Sequence, residues 1–541
     1  MATTKRCDWT CGAAAACALF APIAVFLTAN NYPLISVETA TLALLCAAGG
    51  LLIWLIVQTT NDFISRTAFS GVVFVSIAIL AQANYWPLLV GIYIGCICAF
   101  YILREHIGLI ALVAFSGHIL ATLVFALSVD IREISFERYL HADSTVNSPP
   151  PILHIVLDEH VGINGLPKNL AHAAVLAKDL TKFYTREGFH LYSRAYSQYF
   201  NTAESLSNLF NFSSRTNIDA YTTVRISNDL TKTNLPYFYN LNASKYFKFL
   251  NRLGYRLNVY QSDFFDLCHV PDIEYASCKT YRSNSIMSIL NTDLGIVERS
   301  KFVANSFIKS SVFLQWIRWV YNHHFRMLSS VPLPLWEAGT SRTGPLPTLR
   351  MLKLLEIDLE NAQPGNVYFA HLLLPHYPYI LRSDCKLRQR ISDWLNRVAT
   401  DDPSRPLVEN TTKTRAQRYE RYIEQIKCQQ ILLSNLLNIL NNNSVWKDSI
   451  VIIHGDHGSR IALHKPALAV ADEPTTDDLR DYYSTLFAVR FGRGAKGKII
   501  DTPHSLQFLL THTFGIPIKS DSEGHFVKQT QTHTSPNFSP E

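Results

Sequence analysis

The sequence predicts an N-terminal bundle of five transmembrane helices followed by an α/β/α sandwich with a mostly parallel sheet. Three observations carry this expectation. Charges are nearly absent from Trp9 to Leu127, although 17% of the 541 residues are charged. Beyond that region, β-branched runs alternate with helical patterns. Those runs end in groups of acids and histidines.

A membrane crossing needs about 20 apolar residues. Apolar stretches at 12–30, 36–57, 68–86, 87–103 and 107–127 supply five. The third and fourth divide at Asn84-Tyr85-Trp86-Pro87, a turn sequence of interfacial character. Glu38 sits at the outer edge of the second span, where solvation would account for it, and His118 lies within the fifth. Lys5 and Arg6, Arg66, and Arg104 fall before the first span, between the second and third, and between the fourth and fifth. The other two loops hold neither Lys nor Arg. The positive-inside rule therefore puts the N-terminus in the cytoplasm and everything after Val129 outside it. Residues 1–129 form the membrane domain, 130–151 a linker ending in three prolines, 152–518 one large domain, and 519–541 a polar tail.

Compartment decides how the cysteines are read. Cys11, Cys17, Cys46, Cys96 and Cys98 lie in the apolar part, as small membrane-buried residues. Outside the cytoplasm, Cys268 and Cys278 in "CHVPDIEYASC" are expected to close a short disulfide loop, and Cys385 with Cys428 is a second pairing of weaker signal. A net charge of +6 without a concentrated basic stripe gives no argument for nucleic acid.

The runs "ILHIVL" (152–157), "RLNVYQSD" (256–263), "VYFAHLLL" (367–374), "SIVIIHGD" (449–456) and "YSTLFAVRF" (483–491) read as strands buried on both faces. Helical patterns such as "RYIEQIKCQQILLSNLLNIL" (421–440) separate them. In such sheets ligands bind beyond the carboxyl ends of the strands. Applied here, that rule gathers Asp158, Glu159 and His160, His371 and His376, and His454, Asp456 and His457 at one edge. Carboxylates with imidazoles form a ligand set for zinc or manganese. Each residue also has a plainer reading: Asp158 and Glu159 as a solvated strand end, Thr202 as a helix N-cap, His371 as a core histidine. The aromatic, basic segment 310–328 fits either a membrane surface or burial against the sheet.

Four motifs carry a resemblance. The first strand ends in "LDEH", a threonine stands in "NTAESLSNLF", "HLLLPHYPY" follows a central strand, and "GDHG" comes late. With five apolar spans ahead of them, these resemble the membrane-anchored sulfatase-like branch of the alkaline phosphatase superfamily, which includes phosphoethanolamine transferases and lipoteichoic acid synthases. The resemblance implies an alkaline phosphatase/sulfatase-like fold in a bacterial-type inner membrane, with the catalytic domain periplasmic. It implies Glu159, with Asp158 beside it, and Asp456 and His457 as metal ligands around the nucleophile Thr202. It places His376 at the substrate phosphate or leaving group and offers His464 as a further histidine. His371 stays outside that ligand set. The implied cofactor is a divalent metal, zinc favoured, with manganese, magnesium and calcium also compatible.

The chemistry implied is transfer of a phospholipid-derived phosphoryl headgroup to an envelope glycan or lipid through a phospho-threonine. The partners would be a membrane phospholipid donor, a glycan or lipid acceptor and the bilayer. Hydrolysis of a sulfuric or phosphoric ester is the alternative, and a catalytically inactive lipid- or protein-binding regulator the alternative of another class. The chain departs from relatives in three respects. It lacks the C-x-P-x-R or S-x-P-x-R pentapeptide of formylglycine sulfatases. It also lacks cysteines around Thr202 and has "PHYP" where lipid A transferases have "NHGP".

Overall fold

The computed structural model describes residues 9–60, 62–83, 85–103, 106–128, 134–138, 148–213, 221–223, 239–320, 343–398, 410–466 and 474–517. The expected C-terminal tail, 519–541, lies outside them.

Five apolar helices open the chain: α1 (Trp9–Ala29), α2 (Val37–Thr59), α3 (Asp62–Leu80), α4 (Trp86–Leu103) and α5 (Ile107–Ser128). Four of the five expected spans, in α1, α2, α3 and α5, are long and apolar enough to cross a membrane. The fourth, Pro87–Leu103, is apolar but shorter. At 1.5 Å per residue it reaches about 26 Å, short of a hydrocarbon core of about 30 Å. Helices α1 and α2 meet at glycine: a Cβ on Gly50 would lie 2.5 Å from the Gly12 carbonyl oxygen. Small residues allow this approach where no hydrophobic effect drives helices together. Cys17, Cys46, Cys96 and Cys98 are free thiols.

The second part is a nine-stranded sheet. Its strands are β1 (Ile134–Arg138), β2 (Ile152–Leu157), β3 (His190–Tyr192), β4 (Arg256–Ser262), β5 (Tyr275–Tyr281), β6 (Asn366–Leu372), β7 (Ile450–Gly455), β8 (Phe487–Phe491) and β9 (Lys498–Ile500). The order is β1-β5-β4-β6-β2-β7-β8-β3-β9. The centre, β5-β4-β6-β2-β7, is parallel throughout. The sheet is mixed, because β8 runs antiparallel to both β7 and β3, and β1 antiparallel to β5. Strand β1 also revises the expected linker: residues 134–138 form the edge of the sheet instead of a free spacer.

Every residue of β2 and β6 is buried, as their unbroken apolar runs require. Helices cover both faces. Helices α6 (Ala171–Arg186), α7 (Thr202–Phe210), α8 (Lys245–Arg252), α9 (Ile296–Ser310), α10 (Val312–Val320), α11 (Pro345–Glu360), α12 (Thr412–Asn442), α13 (Thr476–Tyr483) and α14 (Leu506–Thr513) follow in chain order. One face packs Leu153, Ile155 and Ile453 under α6, α11 and α12. The other packs Ile152, Val156, Phe369 and Ile452 under α7, α8 and α14. Disulfides join Cys268 to Cys278 and Cys385 to Cys428, and Cys11 is also disulfide-bonded.

Two elements join the parts. Helix α9 packs on α2 and α10 on α3. Phe26 meets Phe307 edge-on at 5.6 Å between centroids, and Phe74 meets Phe313 at 5.9 Å. The described portion of segment 310–328 therefore packs against an apolar helix of the first part. Glu38 is 2% exposed, and Arg299 Nε donates to its Oε1 at 2.6 Å. A buried ion pair thus replaces the solvation expected for Glu38.

Candidate metal centre

The site follows from strand register. Val156 stands between His371 on β6 and His454 on β7. Side chains alternate along a strand, so residues of equal parity share a face. Ile152, Val156, Phe369 and Ile452 face the α7–α8–α14 layer. Asp158, His371 and Asp456 continue that parity at the carboxyl ends of adjacent strands. One ligand atom from each lies within 4.8 Å of the others, and all three residues are buried.

These atoms lack ordinary partners. Asp158 Oδ1, Asp456 Oδ2 and both ring nitrogens of His371 make no hydrogen bond. Leaving such groups buried and unsatisfied is costly. His457 adds a fourth donor atom. Its Nδ1 is 2.9 Å from the Gly458 carbonyl, which can only accept, so the proton belongs on Nδ1. Nε2 is left with a lone pair, 3.1 Å from Asp456 Oδ2 and 3.8 Å from Asp158 Oδ1. Lone pairs converging in a sealed space repel unless a cation lies among them.

Proton affinities agree. Burial first, then the charge of Asp158, pushes Asp456 up to about 8. Burial, with a contribution from Glu159, pushes Asp158 up to about 6. Burial pushes His371 down to about 4, and burial followed by Arg460 lowers His457. The carboxyls favour a proton and the imidazoles stay neutral, as acidic and neutral ligands do before they receive a cation. Asp158, His371, Asp456 and His457 fit a divalent ion.

Two glycines shape the "HGDHG" loop. A Cβ on Gly455 would fall 2.4 Å from Thr485 Oγ1, and one on Gly458 would fall 2.2 Å from the Asp481 carbonyl oxygen. Both positions require the backbone itself to press against α13 and the residues that follow it. Asp456 is further fixed at its carbonyl oxygen, which accepts from Ser205 Oγ at 2.6 Å. Ser205 lies in α7, so this bond sets the start of α7 beside the centre. Asn201, and not Thr202, is the N-cap, and its side chain makes no capping bond. Thr202 is the first helical residue, with Oγ1 3.3 Å from His457 Nε2. Its hydroxyl also lowers the pKa of Asp158 and Asp456, within the larger upward shifts given above.

Glu159 departs from the expected ligand set. It is not a solvated strand end either, being fully buried. Its backbone, at φ 63°, sends its N–H to Asp456 Oδ1 at 3.0 Å, while its carbonyl accepts from Tyr422 Oη at 2.6 Å. The side chain, of opposite parity to Asp158, is paired elsewhere. Arg460 donates to Glu159 Oε1 through Nε at 3.0 Å and through Nη2. Burial would raise this carboxyl, but His376, Arg460 and Arg397 outweigh burial and hold it low. Its charge is therefore already neutralised, and His371 stands in the cluster instead.

The remaining histidines divide. His376 lies at the rim, with Nε2 3.8 Å from Glu159 Oε1. His464 is engaged by Asp478, whose carboxylate accepts its backbone N–H at 3.2 Å and approaches its Nδ1 at 3.3 Å. His454 pairs with His154, Nε2 to Nε2 at 2.8 Å, and His154 Nδ1 lies 2.9 Å from Tyr246 Oη. Sequence reasoning left His371 outside the candidate ligand set and did not single out Arg460 or Arg397, which the structure brings to Glu159. Strand parity could have pointed to His371. Nothing local marks Arg397, which arrives from a loop well over 200 residues from Glu159.

No protein-family profile matches the chain, and no curated protein matches it. Among solved structures it is similar to the C-terminal periplasmic domain of EcEptC from Escherichia coli in complex with Zn, at 10% identity over 70% of this chain and 84% of that one, with a TM-score of 0.36. It is similar to the integral membrane lipooligosaccharide phosphoethanolamine transferase A of Neisseria meningitidis, at 14% identity over 88% and 74%, TM-score 0.35. The phosphonate monoester hydrolase of Agrobacterium radiobacter is similar at 12% identity over 68% and 74%, TM-score 0.36.

Proposed function

We propose that the chain is a membrane-anchored, metal-dependent enzyme acting on phosphate or sulfate esters, with Thr202 as nucleophile. The observation that carries this reading is the convergence of Asp158, His371 and Asp456, buried and lacking hydrogen-bond partners at Asp158 Oδ1, Asp456 Oδ2 and both His371 nitrogens, beside His457 and the Thr202 hydroxyl. A divalent cation, zinc favoured by the mixed nitrogen and oxygen donors, would offset the charge of an anionic ester and ease deprotonation of a neighbouring hydroxyl.

Thr202 Oγ1 passes its proton to solvent water and attacks phosphorus in line. The Oγ1–phosphorus bond forms as the ester bond breaks, and the leaving oxygen takes a proton from His376. An acceptor hydroxyl, or water, then gives its proton to His376 and attacks phosphorus, and the Thr202 oxygen leaves and takes a proton back from solvent. Dividing a hard displacement into two steps is the gain of covalent catalysis. The uncapped start of α7 adds N–H groups and a dipole that favour an anion.

Transfer of a phospholipid-derived headgroup to a glycan or lipid is the reaction this reading favours. The site is linked to the apolar helices through α9. Arg397 sits in a loop whose Trp394 packs on Phe302 of α9, at 5.6 Å between centroids, and α9 packs on α2. The Cys268–Cys278 and Cys385–Cys428 disulfides support an extracytoplasmic domain. The test is intact mass of the full chain in nanodiscs after incubation with phospholipid. A phosphoethanolamine or phosphoglycerol adduct on Thr202, absent from Thr202→Ala, is expected. An adduct mapped to another residue overturns the nucleophile assignment, and hydrolysis without transfer to an added glycan or lipid makes the enzyme a hydrolase.

A further inference from the structure

Arg460 and Arg397 are unused by the chemistry above, and both converge on a buried glutamate that is not in the metal cluster. Arg460 satisfies Glu159 through two nitrogens. A structural ion pair needs no more than that. Yet Arg397 Nε lies 3.9 Å and His376 Nε2 3.8 Å from the same oxygen, Oε1. Both distances are longer than a hydrogen bond. Glu159 is fully buried, whereas the side chains of Arg397 and His376 are 23% and 16% exposed. A sealed anion thus gathers Arg397 and His376, whose side chains open toward solvent.

The arrangement is braced from several sides. Tyr377 separates the two outer groups, with the His376 ring stacked on it at 4.2 Å and the Arg397 guanidinium over it at 5.7 Å. The Tyr377 N–H donates to Glu159 Oε2 at 3.4 Å. Asn410 Nδ2 donates to the Arg397 carbonyl at 3.0 Å, and Arg418 Nη2 to the Val398 carbonyl at 3.2 Å. On the inner side, Arg460 Nη1 reaches Asn201 Oδ1 at 3.5 Å, immediately before Thr202. The cationic rim therefore begins at the nucleophile and ends at solvent.

We propose that Glu159 is a positioning residue that holds Arg460, Arg397 and His376 as a rim recognising the tetrahedral oxyanion of the substrate beside Thr202. The inference rests on the functional reading above and names the recognition elements of that same site. Guanidinium groups suit this ligand because their planar donors match two oxygens of a phosphate or sulfate. The same chemistry could come from a lipid headgroup or from free phosphate.

The test uses the full chain in phosphatidylcholine nanodiscs, with metal content and inorganic phosphate binding measured on the same samples. Glu159→Gln, Arg397→Gln and Arg460→Lys are each expected to keep the wild-type metal content and to weaken phosphate binding about tenfold, the scale of one charge-assisted contact. Glu159→Asp, which keeps the charge, should retain more affinity than Glu159→Gln. Including phosphatidylglycerol should weaken phosphate binding in the wild type but not in Arg397→Gln if the headgroup occupies the rim. Unchanged competition in both assigns the rim to free phosphate. Loss of metal in Glu159→Gln would return Glu159 to the ligand set and overturn the proposal, as would unchanged phosphate affinity in the solvent-side variant Arg397→Gln. A metal-free wild type would instead overturn the metal centre itself.

Discussion

Asp456 is the most constrained residue of the centre. Its Oδ1 accepts the backbone N–H groups of Glu159 at 3.0 Å and His457 at 2.9 Å, its carbonyl accepts from Ser205, and Oδ2 is left facing His457 Nε2. One oxygen fixes the loop and the other remains for a ligand. His371 is the complementary case, with neither ring nitrogen bonded. His371→Ala should weaken zinc binding by at least about 100-fold, the upper end for groups that act from outside the ligand set. Glu159→Gln should weaken it far less, because its carboxylate already belongs to Arg460. Competition with a chromophoric chelator compares the two, and equal losses would contradict the placement of His371.

At the scale of elements, two contacts matter. The Ser205–Asp456 bond ties α7 to β7 and so sets Thr202 against the cluster. The Glu38–Arg299 pair ties α2 to α9, with Arg299 Nη1 also reaching the Leu294 carbonyl at 3.2 Å. Removing one member of a buried pair strands a charge and costs about 3–5 kcal/mol, whereas replacing both by apolar residues is often neutral. Glu38→Leu should therefore lower the melting temperature of the detergent-solubilised chain, and Glu38→Leu with Arg299→Leu should recover most of the loss. A double variant as unstable as the sum of the singles would show that the pair does not couple the helices. The sequence placed Glu38 at a helix edge correctly, but its partner lies 261 positions away and could not be read from any local pattern.

For the whole molecule, the centre links stability to pH. Asp456 has a folded pKa of about 8, above its ordinary 3.8. A raised folded value means that stability is complete below the unfolded pKa and is lost as pH rises toward 8. The buried imidazole of His371 is shifted oppositely, from 6.5 to about 4, so its contribution is lost as pH falls below 6.5. Between about 6.5 and 8 the Asp456 effect is not opposed by His371. The metal-free protein should lose melting temperature steadily across that window, and added zinc should flatten the slope. Thermal melts after chelation, with and without zinc restored, measure both. A metal-free slope of opposite sign would contradict the buried-carboxyl arrangement.

Much of the architecture was legible locally. Apolar length marked the membrane helices, unbroken β-branched runs marked β2, β6 and β7, and "GDHG" marked Asp456 and His457, because burial and turn geometry impose short-range patterns. The mixed sheet was not legible: a strand's direction depends on where its neighbours lie, and β1 was hidden in a polar linker. The choice between Asp158 and Glu159 likewise needed three dimensions. Adjacent in sequence, both are acidic and buried, and local composition treats them alike. Tertiary structure separates them, since strand parity turns one toward His371 and Asp456 while Arg460, arriving from 301 residues away, claims the other.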